Sequence, residues 1–269
     1  MTFNMDLFAR ESGAVEAPAI LFLHGGGLSG WTWQPVVDRM HQYRCLVPDL
    51  PEHAKSFEQG PFEMARAAAA VAELVRSRVR TGRAHVAGLS LGAQLGVQLL
   101  ATEPDVVDRA VLCGTNINGI PGVGLMQPVL ALVAWIARFG WVIDWNARYL
   151  GIPPVQIDEY REDVRLMTGA QLGHIIGVSS RFRIPAGLDK SVSPTLFITG
   201  AKETRFVHRS AAALAQRMPN GVNRVAIGMR HDWPLSHPDL FGRTLDSWFT
   251  GAALPLQIGP PRLRVGAGP

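Results

Sequence analysis

The segment Gly88-Leu89-Ser90-Leu91-Gly92 constrains this chain more than any other. Arg83-Ala84-His85-Val86-Ala87 before it reads as a short strand, and Gly92-Ala93-Gln94-Leu95-Gly96-Val97-Gln98-Leu99-Leu100 after it has the composition of a buried helix. A serine at so sharp a strand-to-helix turn adopts a strained backbone. Its neighbours must be nearly without side chains, so that strand and helix can approach each other. The hydroxyl then stands exposed beside unpaired amides of the helix N-terminus. G-x-S-x-G alone occurs by chance in many chains; its place between strand and helix is what points to a nucleophile.

A second motif strengthens that reading. Ala19-Ile20-Leu21-Phe22-Leu23 is an uninterrupted apolar run, as a strand buried on both faces requires, and it ends in His24-Gly25-Gly26-Gly27. Such a loop can turn backbone N–H groups inward. Acyl transfer needs two donors aimed at the developing oxyanion, one from this loop and one from the residue after the nucleophile. Gly26 is the expected loop donor, with Gly27 as the alternative, and Leu91 supplies the other.

An acid and a base follow by the same logic. Pro194-Thr195-Leu196-Phe197-Ile198-Thr199-Gly200 reads as a buried strand stopped by glycine, and Ala201-Lys202-Glu203 puts a carboxylate just beyond its end. Glu203 is the expected acid; the plain alternative is a surface glutamate beside Lys202 and Arg205. Arg224-Val225-Ala226-Ile227-Gly228 reads as the last strand and Met229-Arg230-His231-Asp232-Trp233 as the loop after it, which makes His231 the expected base. Asp232 is a weaker competitor for the acid, since adjacent side chains generally diverge. A serine hydroxyl is a weak nucleophile until an imidazole removes its proton, and the imidazole needs a carboxylate to hold its tautomer.

In this chain order, with Val47-Pro48-Asp49-Leu50-Pro51 after a further strand, the sequence resembles the α/β-hydrolase superfamily from about residue 6 to about residue 250. The resemblance implies an α/β fold: a mostly parallel eight-stranded sheet flanked by helices, in strand order 1-2-4-3-5-6-7-8, with a helical cap. It divides the chain into core at 1–118 and 191–251, cap insertion at 119–190, and an irregular tail at 252–269. It also implies a serine hydrolase acting on a small or medium ester through an acyl-enzyme. The same triad serves lactone and thioester hydrolysis, carbon–carbon cleavage and cyanohydrin cleavage, and the fold also serves as a ligand receptor with little turnover. Relatives that form an alkyl ester on a carboxylate are set aside, because they need aspartate where this chain has Ser90.

The departures from the family pattern are specific. Aspartate is commoner than glutamate at the acid position, and Glu203 is longer by about 1.5 Å. Arg230 replaces the usual glycine before the histidine; near the ring it would lower the imidazole's pKa, and otherwise it points to solvent. Ala54 stands where glycine is usual, in a loop with Asp49 and His53 that is expected to flank the site without acting in it, and His24 is read as part of the turn. The implied strand order puts Cys45 on the fourth strand and Cys113 on the sixth. Three inter-strand steps of about 14 Å separate them, too far for a disulfide, so two free thiols are expected.

Composition agrees with one large core plus an insertion: 269 residues, 47% apolar and 18% charged. A pI near 9.5 rests on a formal charge of only +4 with dispersed arginines, which does not argue for nucleic acid. No basic region followed by an apolar stretch opens the sequence, so a cytoplasmic location is expected. His174, His208 and His237 lack ligand-like spacing and no cysteine–histidine cluster occurs, so neither metal nor cofactor is expected. The expected partner is a small-molecule ester, and oligomeric state stays open.

Between 116 and 190 the strand–helix alternation lapses. Gln127-Pro128 looks like a helix start, and 129–137 is apolar on all faces until Arg138. That is short of the about 20 residues a membrane span needs, so no stable insertion is expected. The segment is either buried between cap and core, or lines an acyl pocket in which Gly27 and Trp135 are candidate lining residues, or touches a lipid surface. The glycine- and proline-rich end after Trp248-Phe249 reads as a mobile or surface-bound tail.

Overall fold

Strands buried on both faces are mainly apolar, and the central strands of this chain are, with Arg44, His85, Asp108 and Arg109 confined to their first halves. Ala19–Leu23 (β2), Arg44–Pro48 (β3) and Thr195–Gly200 (β6) are buried at every position, and Ala84–Leu89 (β4) and Val107–Cys113 (β5) at nearly every one. The computed structural model describes residues 5–118, 139–150 and 152–261. With Ala9–Ser12 (β1), Gly221–Ala226 (β7) and Ile258–Gly259 (β8), these strands form one eight-stranded sheet in the order β1-β3-β2-β4-β5-β6-β7-β8. Pairing is parallel from β3 through β7, and only β1 and β8, at the two margins, run antiparallel.

Helices cover both faces: Gln34–Val37 (α1), Met64–Arg78 (α2), Leu91–Thr102 (α3), Gly140–Tyr149 (α4), Ile157–Leu166 (α5), Gly169–Arg181 (α6), Arg205–Arg217 (α7), Trp233–Ser236 (α8) and Pro238–Thr250 (α9). Alternation along the strands sorts the core into two layers. Leu21, Leu23, Val86, Leu112 and Phe197 pack against α2, α3 and α7. Ile20, Phe22, Ala87, Leu89, Val111 and Ile198 pack on the opposite face with Trp33, Trp233 and Phe241. Burying each such side chain contributes about 1.5–3 kcal/mol.

The parallel register brings the strand ends to one edge: Leu23 pairs with Gly88, Leu89 with Cys113, Cys113 with Ile198, and Gly200 with Ala226. His24, Ser90, Gly114 and Glu203 all follow at that edge, where ligands of open α/β sheets bind. Helices α4 to α6 enter the chain between β5 and β6. None of the described helices is long and apolar enough to cross a membrane. The apolar stretch at 129–137, Trp135 included, lies outside the described residues.

The strand count is as expected, but its composition is not. The implied order required two strands before Ala19, whereas the described residues contain one, Ala9–Ser12; the eighth strand is Ile258–Gly259, inside the segment read as an irregular tail. Ile258 is buried and pairs with Ala226, and Gln257 O accepts from Ile227 N–H at 2.8 Å. Two residues are too few to carry an alternating pattern, so this strand leaves no mark in the sequence. Cys45 and Cys113 consequently sit on the third and fifth strands, still with two strands between them, and both are buried free thiols.

The helix-to-strand contact that seats α3 is backbone on backbone. A Cβ on Gly92 would lie 2.1 Å from Leu23 O and 2.7 Å from His24 O, a clash no rotamer change relieves. Gly92→Ala is therefore expected to lower Tm by about 10 °C or more, or to prevent folding, in differential scanning calorimetry. Gly25→Ala, whose Cβ would come no closer than 3.8 Å to any neighbour, should leave Tm within about 2 °C.

Candidate active site

Ser90 sits between the end of β4 and the start of α3 with φ 55 and ψ −111, a backbone conformation that costs a residue with a Cβ about 1–3 kcal/mol. The surroundings enforce it. Gly88 allows the first turn of α3 to press against β4, since a Cβ there would lie 2.7 Å from Gly92 O. Ser90 N–H donates to Cys113 O at 2.9 Å, and Ser90 O accepts from Gln94 N–H at 3.0 Å. The half-buried hydroxyl has no hydrogen-bond partner among the described residues, and the Leu91 amide opens the helix beside it.

Glu203 and His231 are brought together directly. Glu203 follows β6 in a turn closed by Glu203 N–H to Gly200 O at 3.0 Å, and its side chain is only 3% exposed. His231 Nδ1 donates to Glu203 Oε1 at 3.2 Å, which leaves Nε2 as the basic nitrogen. Glu203 Oε1 also accepts from Gly200 N–H at 3.3 Å, while Oε2 is buried with no partner among the described residues. Partial burial works to lower the His231 pKa, but the hydrogen bond and charge of Glu203, joined by the charge of Asp232, outweigh it and hold the pKa above 6.5.

Gly114 joins this pair to the serine. It follows Cys113, the residue that accepts from Ser90 N–H, and a Cβ on it would lie 2.4 Å from His231 Cε1 and 3.5 Å from Glu203 Oε1. The one mark of Gly114 in the sequence is a glycine that ends the apolar run 110–113. Asp232 makes no hydrogen bond to His231 and instead lies 3.6 Å from Arg230 Nε. The Arg230 guanidinium sits 5.1 Å from the centre of the Tyr149 ring on α4. It is thus engaged with the inserted helices, and the net shift at His231 is upward, not the lowering expected of a cation beside the ring.

The glycine loop rests on two buried imidazoles. His24 Nε2 accepts from Leu50 N–H at 2.9 Å and its Nδ1 donates to Gly25 O at 2.9 Å. His53 repeats the arrangement, with Nε2 accepting from Gly27 N–H at 3.2 Å and Nδ1 donating to Pro51 O at 2.9 Å. The rings meet edge to face at 4.9 Å. The Gly27 amide is engaged by His53, whereas the Gly26 amide, like that of Gly25, has no acceptor among the described residues. A Cβ on Gly26 would lie 3.6 Å from Leu91 Cδ2 and 3.7 Å from Leu91 Cβ, so the two residues are neighbours. Asp49 is structural too, accepting from Arg10 Nη1 and Gly30 N–H, both at 2.9 Å.

Both imidazoles bridge backbone groups only when neutral, and burial keeps them so. Desolvation, opposed by the bond to Gly25, brings the His24 pKa from 6.5 to about 4; desolvation and the nearby His24 bring that of His53 to about 3. Because the folded values lie below the unfolded one, this stability is fully present above pH 6.5 and is lost as pH falls toward 4. Each ring should contribute a slope of up to about 1.4 kcal/mol per pH unit in that window, measurable by urea unfolding. Nitrogen NMR at about pH 5 should find both rings still neutral in the folded protein.

Comparison with known proteins agrees with this architecture. A model of the alpha/beta hydrolase family matches residues 20–244. An AB hydrolase superfamily protein of Gibberella zeae is 28% identical over 88% of this chain and 82% of its own length. A pimeloyl-[acyl-carrier protein] methyl ester esterase of Pectobacterium carotovorum is 26% identical over 87% of this chain and 95% of its own. The crystal structure of a hydrolase from Pseudomonas aeruginosa shares the fold with a TM-score of 0.72 at 23% identity, covering 91% of this chain and 94% of that one. With a family match that runs from β2 into α9, the chain belongs to the alpha/beta hydrolase family.

Proposed function

We propose that this protein is a serine hydrolase that cleaves a small or medium carboxylic ester through an acyl-enzyme, with Ser90, His231 and Glu203 as its triad. The observation that carries the reading is the 3.2 Å bond from His231 Nδ1 to the buried Glu203 carboxylate, at the strand edge where Ser90 occupies a positive φ. That bond fixes the tautomer in which Nε2 accepts a proton. A relative named as a methyl ester esterase supports the ester as the bond broken.

The chemistry proceeds in two halves. Ser90 Oγ attacks the ester carbonyl carbon as His231 Nε2 takes the hydroxyl proton, and the carbonyl π electrons move to oxygen. Gly26 and Leu91 N–H groups hold that oxyanion. Collapse breaks the carbon–oxygen bond to the alcohol, which leaves with the proton from the imidazolium. Water then repeats the sequence on the acyl-enzyme and releases the acid. The helices α4 to α6 act as a cap over this edge, a role supported by their position in the chain between β5 and β6.

Ser90→Ala is expected to lower kcat for a p-nitrophenyl ester by on the order of 10⁴ to 10⁶ with the fold intact, and fluorophosphonate should label Ser90 stoichiometrically. Retained turnover in the alanine variant would refute the mechanism, and a single equivalent of product from the unmodified protein would mark a ligand receptor.

Glu203→Gln should cost roughly 10² to 10⁴ in kcat, and Asp232→Asn much less. Since His231 acts as a base only when neutral, kcat/KM should fall on the acid side, with its midpoint above 6.5. Glu203 is what raises that value, so Glu203→Gln should move the midpoint down. A limb that stays in place would assign it to another group.

A further inference from the structure

Helix α6 is clamped at two places by side chains, and beside the first clamp it faces the glycine loop. At one clamp His174 Nδ1 donates to Glu52 Oε2 at 2.9 Å, and the same oxygen accepts from Phe62 N–H at 3.0 Å. At the other, Ser179 Oγ donates to Gln94 Oε1 at 2.8 Å, while Gln94 Nε2 donates to Ser179 O at 3.1 Å and to Asn116 O at 2.6 Å. Gln94 is buried and stands one turn beyond Ser90 on α3, so this clamp ties α6 to the nucleophile's own helix.

Glu52 holds a φ of 63, in the left-handed region that disfavours any residue with a Cβ. Such a conformation persists where the surroundings over-determine it, and here the two donors on a nearly buried carboxylate do so. The next residue, His53, holds the Gly27 amide. One turn of backbone therefore carries both the clamp on α6 and the support of the glycine loop.

What α6 presents to that loop is apolar. Ile175 Cγ2 lies 3.5 Å from where a Cβ on Gly26 would stand, and Leu172 Cδ1 lies 3.8 Å from the equivalent point on Gly27. Ile175 is 2% exposed and packs in the same cluster as Leu91.

We infer that α6 is a fixed wall of the acyl site, in which Ile175 and Leu172 limit the group that fits above the Gly26 and Leu91 amides, and Glu52 with His174 is the pair that positions it. The inference rests on the serine-hydrolase reading and adds a substrate class to it: esters of short, unbranched acids. A wall in van der Waals reach of the loop leaves no room for a chain to cross it, and a helix held at both clamps cannot swing aside to admit one.

The test is a p-nitrophenyl ester series from acetate to octanoate. In the unmodified protein kcat/KM should decline beyond about four carbons. Ile175→Ala should raise the octanoate-to-acetate ratio at least about fivefold, and Leu172→Ala, at a half-buried position that tolerates truncation, should raise it about threefold. His174→Ala should raise KM for the acetate ester by about 3- to 10-fold with kcat within about twofold, and His174→Asn, whose side-chain amide donates in place of Nδ1, should restore it. Folded Ile175 and Leu172 variants that keep the unmodified ratio overturn the wall, as does a rising profile in the unmodified protein. Fluorophosphonate labelling separates the two failures: Ser90 labelled with an unchanged ratio sinks the wall alone, and no labelling sinks the hydrolase reading and the wall with it.

Discussion

The rest of the site depends on one close approach, that of the Gly92 backbone to the carbonyls of Leu23 and His24. It brings the N-terminus of α3 against the end of β2, and so places the Leu91 amide beside the glycine loop and forces Ser90 through its positive φ. A methyl group at Gly92 would push helix and strand apart and separate Ser90, the loop and the two amides at once. The strain at Ser90 is small beside the burial of the two layers that hold the strands in register. It is stored locally because that larger packing leaves the chain no other path.

Three histidines near this edge share one side-chain chemistry and differ through their surroundings. His24 and His53 lie inside the protein with each ring nitrogen engaged by a backbone group, so burial governs and the neutral form is held down to acid pH. His231 lies half exposed beside a buried carboxylate, and there the partner's charge and hydrogen bond win over desolvation. The first two are suited to hold a loop still, because their protonation state does not change where the third titrates. The role proposed for His231, accepting and returning a proton, needs the opposite setting.

Much of this was legible in the sequence because most of the parallel strands announce themselves as apolar runs and the loops of the candidate site begin where those runs stop. Ser90, Glu203 and His231 could be singled out as candidates from position alone, since each follows a strand end on a single edge. Gly114 could not, because its requirement comes from a ring more than a hundred residues later in the chain. The engaged Gly27 amide was hidden for the same reason: its acceptor, His53, belongs to a loop that reads as ordinary polar sequence. Ile258–Gly259 was hidden by brevity. Arg230 was legible as an oddity but not as a partner of Tyr149, because the contact is made by a helix from a distant stretch whose placement no local pattern encodes.

The two marginal strands have a consequence for how the molecule meets its own kind. A parallel sheet ending at β3 on one side and β7 on the other would offer rows of unpaired amides and carbonyls, the template on which chains stack into aggregates. Here one margin is covered by Ala9–Ser12, whose Glu11 carboxylate takes Arg44 and Arg78, and the other is paired at Val225 and Ala226 by Ile258–Gly259, which is too short to recruit a further strand. Residues far from any chemistry thereby act as selvedges, binding off the weave so that the fabric ends where the protein does.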